Sequence, residues 1–158
     1  MAEAQLVVFK LAGEQFGAPI TRVREILRPV KATRMPRAAA FVRGLFNLRG
    51  QVLPLLDLRA RLGLAAVAVD SAPVGPKGNK ARVVVVEAGG EAMGIQVDEV
   101  LEVLRCQEED LQSPRSVLDL PSSRSLASVL DQAGRLVLVL DVDRLLDGAA
   151  GDYEGGKP

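Results

Sequence analysis

The sequence predicts an all-β protein with short helices, built as two similar barrels of about five strands each that pack on one another. Three observations point there. First, the chain repeats itself: residues 83–104 align on residues 6–27 at a constant offset of 77, with Gly13, Gly17, Glu25 and Leu27 recurring as Gly90, Gly94, Glu102 and Leu104. The run GQVLPLLDL at Gly50 returns as GRLVLVLDV at Gly134, an offset of 84. Second, the apolar runs are short and meet at glycine-containing corners, the pattern of hairpins. Third, Val83 to Val86 is apolar at every position, so that strand must be covered on both faces. Closing each unit into a barrel removes the exposed edges that such strands would otherwise present.

In chain order, Leu6 to Leu11 reads as a strand, Ala12-Gly13-Glu14 as a turn and Gln15 to Pro19 as the return strand. Apolar residues at Ile20, Val23, Ile26 and Leu27 have helical spacing over two turns, which Pro29 ends. Val30 to Met35 is a short extended piece stopped by Pro36, and Ala38 to Phe41 fits one helical turn. Two apolar runs then flank the Arg49-Gly50 corner as a hairpin, with Arg49 at its tip. Pro54 has no N–H for a ladder, so its strand needs a bulge or a free edge there. Asp57, followed by Leu58 and Leu62, reads as the N-cap of a short helix. The Pro- and Gly-containing stretch from Leu64 to Lys80 reads as an exposed connection.

From Ala81 the pattern begins again, and a longer loop around Gln112 to Ser125 accounts for the drift in offset. Pro36 finds its counterpart in Pro114, and the strand-ending Asp57 in Asp141. Gly50 and Gly134 are read as backbone requirements of the two corners. The whole chain, 1–158, is expected to be one domain. Subdomains of about 15–80 and about 81–147 divide it, with a strand at 5–12 that either can claim. The tail at 148–158, GAAGDYEGGKP from Gly148, has little to bury and is expected to be mobile.

Composition narrows the function classes. The apolar fraction of 48% supports a core, but aromatics are only 3%, so Val, Leu, Ile and Ala must do the packing. There is no histidine, which removes Ser-His-Asp and Cys-His catalysis, histidine-ligated metals and phosphohistidine relay. Cys106 is alone, so no internal disulfide forms, and it reads as a small buried hydrophobe. No apolar run approaches a membrane span, and the N-terminus lacks a signal-peptide pattern, so a cytoplasmic location without membrane insertion is expected. Net charge is zero but unevenly spread: +7 between Ile20 and Gly50, −7 between Glu87 and Gln112. Such a dipolar surface reads as two solvated faces, or as one suited to charged partners and head-to-tail assembly.

The repeat also shows what is not shared. Asn47-Leu48-Arg49-Gly50 in the first copy faces Asp131-Gln132-Ala133-Gly134 in the second. The glycine stays and the arginine does not, so the barrel itself does not demand Arg49. On the residues alone, Arg49 reads equally as a solvated turn residue and as a functional side chain. Glu25 reads equally as a helix-face carboxylate and as its ion-pair partner.

With these residues in place, the sequence resembles the CheW family, the coupling proteins of bacterial chemosensory arrays. The resemblance spans roughly Leu6 to Leu146 and is most specific in FVRGLFNLRGQVLPLLDLRARLG from Phe41 and in VREI at Val23 to Ile26. It implies two SH3-like five-stranded β-barrels and a scaffold without catalysis or cofactor. It also implies two partners: the cytoplasmic tip of methyl-accepting chemotaxis receptors and the regulatory domain of a CheA-type histidine kinase. CheW-like self-association in arrays at the inner face of the membrane is a further implied contact. Family residues linked to receptor binding fall on Val23, Glu25, Gly44 and Arg49, and kinase contacts are expected at the barrel ends. The same resemblance covers couplers of non-flagellar systems controlling gliding, pilus motility or gene expression, and array fillers that bind only the kinase domain. Ala39 stands where a second proline is common in the family.

Two rival readings carry less. Leu53 to Asp57 resembles the nucleophile strand of a phosphoacceptor receiver, but the acidic pair after a first strand and the strand–helix alternation are missing. A nucleic-acid-binding barrel would use the basic first half, yet only Phe41 and Phe46 offer stacking there and the overall pI is about 6.3.

Overall fold

The computed structural model of the protein describes residues 2–37, 40–62, 80–113 and 126–145, and among them there are eleven strands. β1 (Glu3–Leu11) and β2 (Glu14–Pro19) form the first hairpin, in register from Leu11↔Glu14 to Leu6↔Pro19. β6 (Arg82–Ala88) and β7 (Glu91–Val97) are its repeat, turning at Gly89-Gly90. β4 (Val42–Leu48) pairs with β5 (Gln51–Leu56) across Arg49-Gly50, and β10 (Leu126–Gln132) with β11 (Arg135–Leu140) across Ala133-Gly134. In all four two-residue turns both central residues have positive φ, the arrangement whose twist matches that of the flanking strands.

The helix expected over 20–27 is a correction. Only Ile20–Arg22 winds, as a 3-10 turn, and β3 (Val23–Leu27) is a strand laddered antiparallel to β6 from Val23↔Val86 to Leu27↔Val83. The register slips between Val23 and Glu25. That bulge breaks the two-residue alternation and leaves an apolar spacing that imitates a helix. Its repeat, β8 (Glu99–Gln107), is likewise a strand, and a 3-10 turn at Glu108–Asp110 leads it into β9 (Leu111–Gln112).

Two sheets result, and they do not follow the sequential halves. One has the order β3-β6-β7-β5-β4, the other β8-β1-β2-β11-β10-β9. Each barrel therefore takes its leading hairpin from the other half of the chain. The first barrel holds the strands of 23–27, 42–56 and 82–97, and the second those of 3–19, 99–112 and 126–140, so the sequential division near residue 80 does not describe the sheets. The N-terminal strand, open to either subdomain in the sequence, lies in the second barrel between β2 and β8. Closure is visible in both. β8 and β9 are successive in the chain yet sit at opposite ends of their strand order. Thr33, just after β3, bridges Leu45 on β4 at the far end of its own.

Alternation along the strands sorts the core into three. Val83 and Val85 point into the first barrel with Phe46, Leu53 and Leu55. Leu6 and Val8 fill the second with Leu130, Val137, Val139 and Cys106. The opposite faces, including Val84, Val86, Met93 and Ile95 from one barrel and Phe9, Phe16, Leu138 and Leu140 from the other, meet in the largest cluster, between the barrels. Val83 to Val86 is thus covered on both sides, each residue fully buried.

Asp57 opens α1 (Leu58–Arg61), its Oδ1 accepting from the Arg59 and Ala60 N–H groups at 3.0 and 3.3 Å. Asp141 does the same for the helical turn at 142–145, accepting from the Arg144 N–H at 3.2 Å. Pro54 pairs with Leu45 on β4 and lies one residue before the β5–β7 ladder begins at Leu55, so its missing donor faces a free edge. The connection at 64–79, Pro114 with most of its loop, the tail from 148, and Ala38 and Ala39 lie outside the described residues.

Candidate partner-binding site

The four residues implicated by the resemblance lie on β3, on β4 and at the β4–β5 tip. Val23 opens β3, half-buried, and packs against the inter-barrel cluster. Two residues on, Glu25 reaches the tip of the β4–β5 hairpin. There Arg49 Nη1 donates to Glu25 Oε2 at 2.7 Å and Nη2 to Oε1 at 2.8 Å, a bidentate fork. Arg49 is held out by its backbone, at φ +52 in the left-handed region, with Gly50 following at +86. Asn47 Oδ1 accepts from the Gly50 N–H at 2.9 Å and closes the turn, as Asp131 Oδ1 does for Gly134 at 3.2 Å.

The pair is asymmetric in exposure: the Glu25 side chain is 21% exposed, that of Arg49 70%. The Arg49 guanidinium hydrogen bonds hold the Glu25 carboxyl below the usual carboxylate range, and Glu25 in turn favours the charged arginine. Both stay ionised at neutral pH, and the arginine presents its remaining surface to solvent. The strands that carry the pair also expose apolar side chains, Ile26 on β3 at 44% and Val52 on β5 at 55%.

Gly44 is not in this constellation. It sits in the bulge between Val42 and Gly44 of β4 at φ +156, and a Cβ there would lie 2.5 Å from the Thr33 carbonyl oxygen. Its lack of a side chain lets the segment after β3 cross onto β4, where Thr33 and Leu45 exchange hydrogen bonds of 2.7 and 2.8 Å. That crossing shapes the barrel wall behind the Arg49 hairpin.

Arg24 was not singled out by the sequence. Its Nη1 donates to Gln51 Oε1 at 3.1 Å and lies 4.0 Å from Glu87 Oε2, tying β3 to the same hairpin. Comparing the two copies hid a second feature. Glu102, the repeat of Glu25, also has an arginine: Arg135 Nη2 donates to its Oε2 at 2.7 Å, and Arg135 Nε donates to Gln15 Oε1 at 2.7 Å. The turn arginine is peculiar to the first barrel, but the glutamate–arginine link recurs from another position. A search for any arginine near the second corner, rather than at the equivalent residue, would have found it. Val103 and Leu136 are exposed around this second link, as Ile26 and Val52 are around the first. β3 belongs to the basic stretch and β8 to the acidic one, though the acidic stretch also supplies Glu87 and Glu91 to β6 and β7 of the first barrel.

Among the described residues no group of His, Cys, Asp and Glu could hold a metal ion, and no helix is long and apolar enough to cross a membrane. The site offers fixed charge and apolar surface on strands, which suits recognition of a protein partner.

Comparison with known proteins agrees. The model of the CheW-like domain matches residues 5–150. The chain is 34% identical over 140 residues to the chemotaxis protein CheW of Rhizobium meliloti, covering 88% of this chain and 84% of that one. It is 32% identical over 144 residues to the CheW of Helicobacter pylori, covering 90% and 81%. Among solved structures, the scaffolding protein TtCheW of Thermoanaerobacter tengcongensis superposes with a TM-score of 0.73 at 27% identity, covering 90% of this chain and 86% of that one.

Proposed function

The chain belongs to the CheW family of chemotaxis scaffold proteins, and from that premise we propose that it is a non-catalytic adaptor coupling methyl-accepting chemoreceptors to a CheA-type histidine kinase. The observation that carries this reading is the Glu25–Arg49 fork, which joins β3 to the β4–β5 tip and leaves the arginine mostly in solvent. A helical receptor tip seated there buries apolar residues on successive turns against exposed surface of the Ile26 and Val52 kind, the helix-in-groove mode. Arg49 fixes register by charge-assisted hydrogen bonds to the helix while Glu25 keeps the fork oriented. Val23 sets the position of β3, and Gly44 shapes the wall behind the hairpin. The regulatory domain of the kinase engages the barrel ends, and the uneven charge, +7 between Ile20 and Gly50 against −7 between Glu87 and Gln112, favours further contacts between copies in an array at the inner face of the membrane.

The test is a pull-down of the purified protein with a receptor signalling-tip fragment and, separately, with the kinase regulatory domain. Binding to both is expected. Binding to the kinase domain alone would make the protein an array filler, and binding to neither would overturn the adaptor reading.

A further inference from the structure

Two crossovers join the barrels, and each is tied by an ion pair to the helical turn that follows a barrel's last long strand. Asp98 lies where the chain leaves β7 of the first barrel for β8 of the second. Its Oδ2 accepts from Arg59 of α1 at 3.4 Å and from the Ala12 N–H at 2.9 Å, while its own N–H donates to the Lys10 carbonyl oxygen at 2.9 Å. Arg22 lies in the opposite crossover, from β2 of the second barrel to β3 of the first, and its Nη2 donates to Asp143 Oδ2 at 3.3 Å. The two arrangements correspond under the internal repeat: Asp143 stands 84 residues after Arg59, and Asp98 stands one place before the repeat of Arg22. The polarity is inverted. One turn supplies the cation to an acidic crossover, and the other supplies the anion to a basic crossover.

The inversion matters because the repeat leaves two ways to assemble the same strands. As observed, β2 lies beside β11 and β7 beside β5, so the leading hairpins are exchanged. In the unexchanged alternative β2 would lie beside β5 and β7 beside β11, each half closing on itself. The hairpins share turn glycines and apolar positions, so the backbone pattern serves either arrangement. The charges do not. Unexchanged, Arg59 would face Arg22 and Asp143 would face Asp98, two repulsions in place of two attractions.

We propose that these two inverted ion pairs act as a polarity code that selects the hairpin-exchanged assembly over the self-contained one. The Arg22–Asp143 pair is exposed and the Arg59–Asp98 pair partly buried. Such pairs contribute little singly, but two attractions set against two repulsions compound to a bias of about tenfold. The code needs no extra stability in the folded state, only discrimination against the alternative.

The experiment is refolding of the double variant R22D/D143R in the full chain. That variant keeps both pairs attractive as exchanged and makes them attractive unexchanged as well. Cysteine pairs in a Cys106→Ala background report the outcome through a short dimaleimide. Gln15→Cys with Arg135→Cys reads the exchanged form, in which these side chains touch at 2.7 Å. Gln15→Cys with Gln51→Cys, 84 residues earlier than 135, reads the unexchanged one. With native charges the 15–135 product should dominate, and in R22D/D143R the share of 15–51 product within single chains should rise about tenfold. An unchanged ratio would overturn the proposal and leave crossover length and core packing as the selectors.

Discussion

Arg49 and Glu25 face each other through two parallel hydrogen bonds, 2.7 and 2.8 Å long, across the seam of the first barrel. Glu25 lies on β3, at one end of the strand order, and Arg49 at the tip of β4 and β5, at the other. The fork therefore closes with side chains a barrel whose backbone closure nearby, among the described residues, is the bridge from Thr33 to Leu45. Arg49 does this from left-handed backbone, φ +52, which glycine adopts more easily. Arg49→Gly thus removes the side chain while favouring the turn. Its thermal midpoint should equal or slightly exceed that of the parent, while affinity for a receptor-tip fragment, by calorimetry, falls about tenfold or more. Arg49→Lys, which cannot make the fork, should restore little of it. An unchanged affinity in Arg49→Gly would end the role assigned to this side chain.

Gly44 separates from Arg49 in the opposite sense. Its positive φ and the 2.5 Å approach of the Thr33 oxygen leave no place for a methyl group. Gly44→Ala should cost about 1–3 kcal/mol of stability, seen as a lower denaturant midpoint at unchanged slope. Any loss of receptor binding in this variant should follow the displacement of the 31–35 segment. It should also be partly recovered at low temperature, where Arg49→Gly would not recover.

The acid side of the pH profile has a defined sign. The Glu25 carboxyl is held below its usual range by the Arg49 hydrogen bonds, so its folded value is depressed. The stabilisation it gives is complete above the unfolded-state value and is lost as pH falls through the lower folded value. The Glu25 carboxyl carbon, followed by NMR, should titrate below the usual carboxylate range, and in Arg49→Gly it should move back up toward it.

The repeat made much of this legible. Gly13, Gly50, Gly90 and Gly134 mark the four hairpin corners because a two-residue turn with positive φ favours glycine, and that requirement is local. Asp57 was readable as a cap for the same reason. β3 was not, because the slip between Val23 and Glu25 gives its apolar residues a spacing that a helix also has. Nor was the hairpin exchange, since β2 meets β11 and β7 meets β5 through parallel pairs of residues far apart in the chain. Periodicity carries no information about which copy of a strand is the neighbour. Glu25 and Arg49 could be named as a pair, but Glu102 and Arg135 were overlooked because the second arginine left its equivalent position.

Cys106 belongs to the interior of the second barrel, with Leu130 and Val137. Burial, with Asp110 and Glu3 nearby, pushes its thiol above the ordinary range, so it should be almost entirely protonated at neutral pH. Modification by an aromatic disulfide reagent should be slow in buffer and become rapid only in denaturant. Fast reaction of the folded protein would place this residue elsewhere.

The exchange of hairpins makes the barrels mutually dependent, and this is testable through Phe16. Its ring is fully buried in the cluster between the barrels and stacks on Phe9 at 5.9 Å between centroids. β2, which carries it, is paired to β1 and β11 in the second barrel, yet the chain on either side of β2 is split between the two barrels. Phe16→Ala should cost about 3–5 kcal/mol through lost transfer energy and the cavity left behind. Because Val84, Met93 and Ile95 of the first barrel line the same cluster, the loss should not be confined to the second. Hydrogen exchange followed separately on β6 and on β10 should report one shared transition, displaced to lower denaturant by the same amount in both strands. If β10 opened early while β6 kept its protection, the barrels would be independent folding units. The shared cluster would then be an interface between them and not a common core.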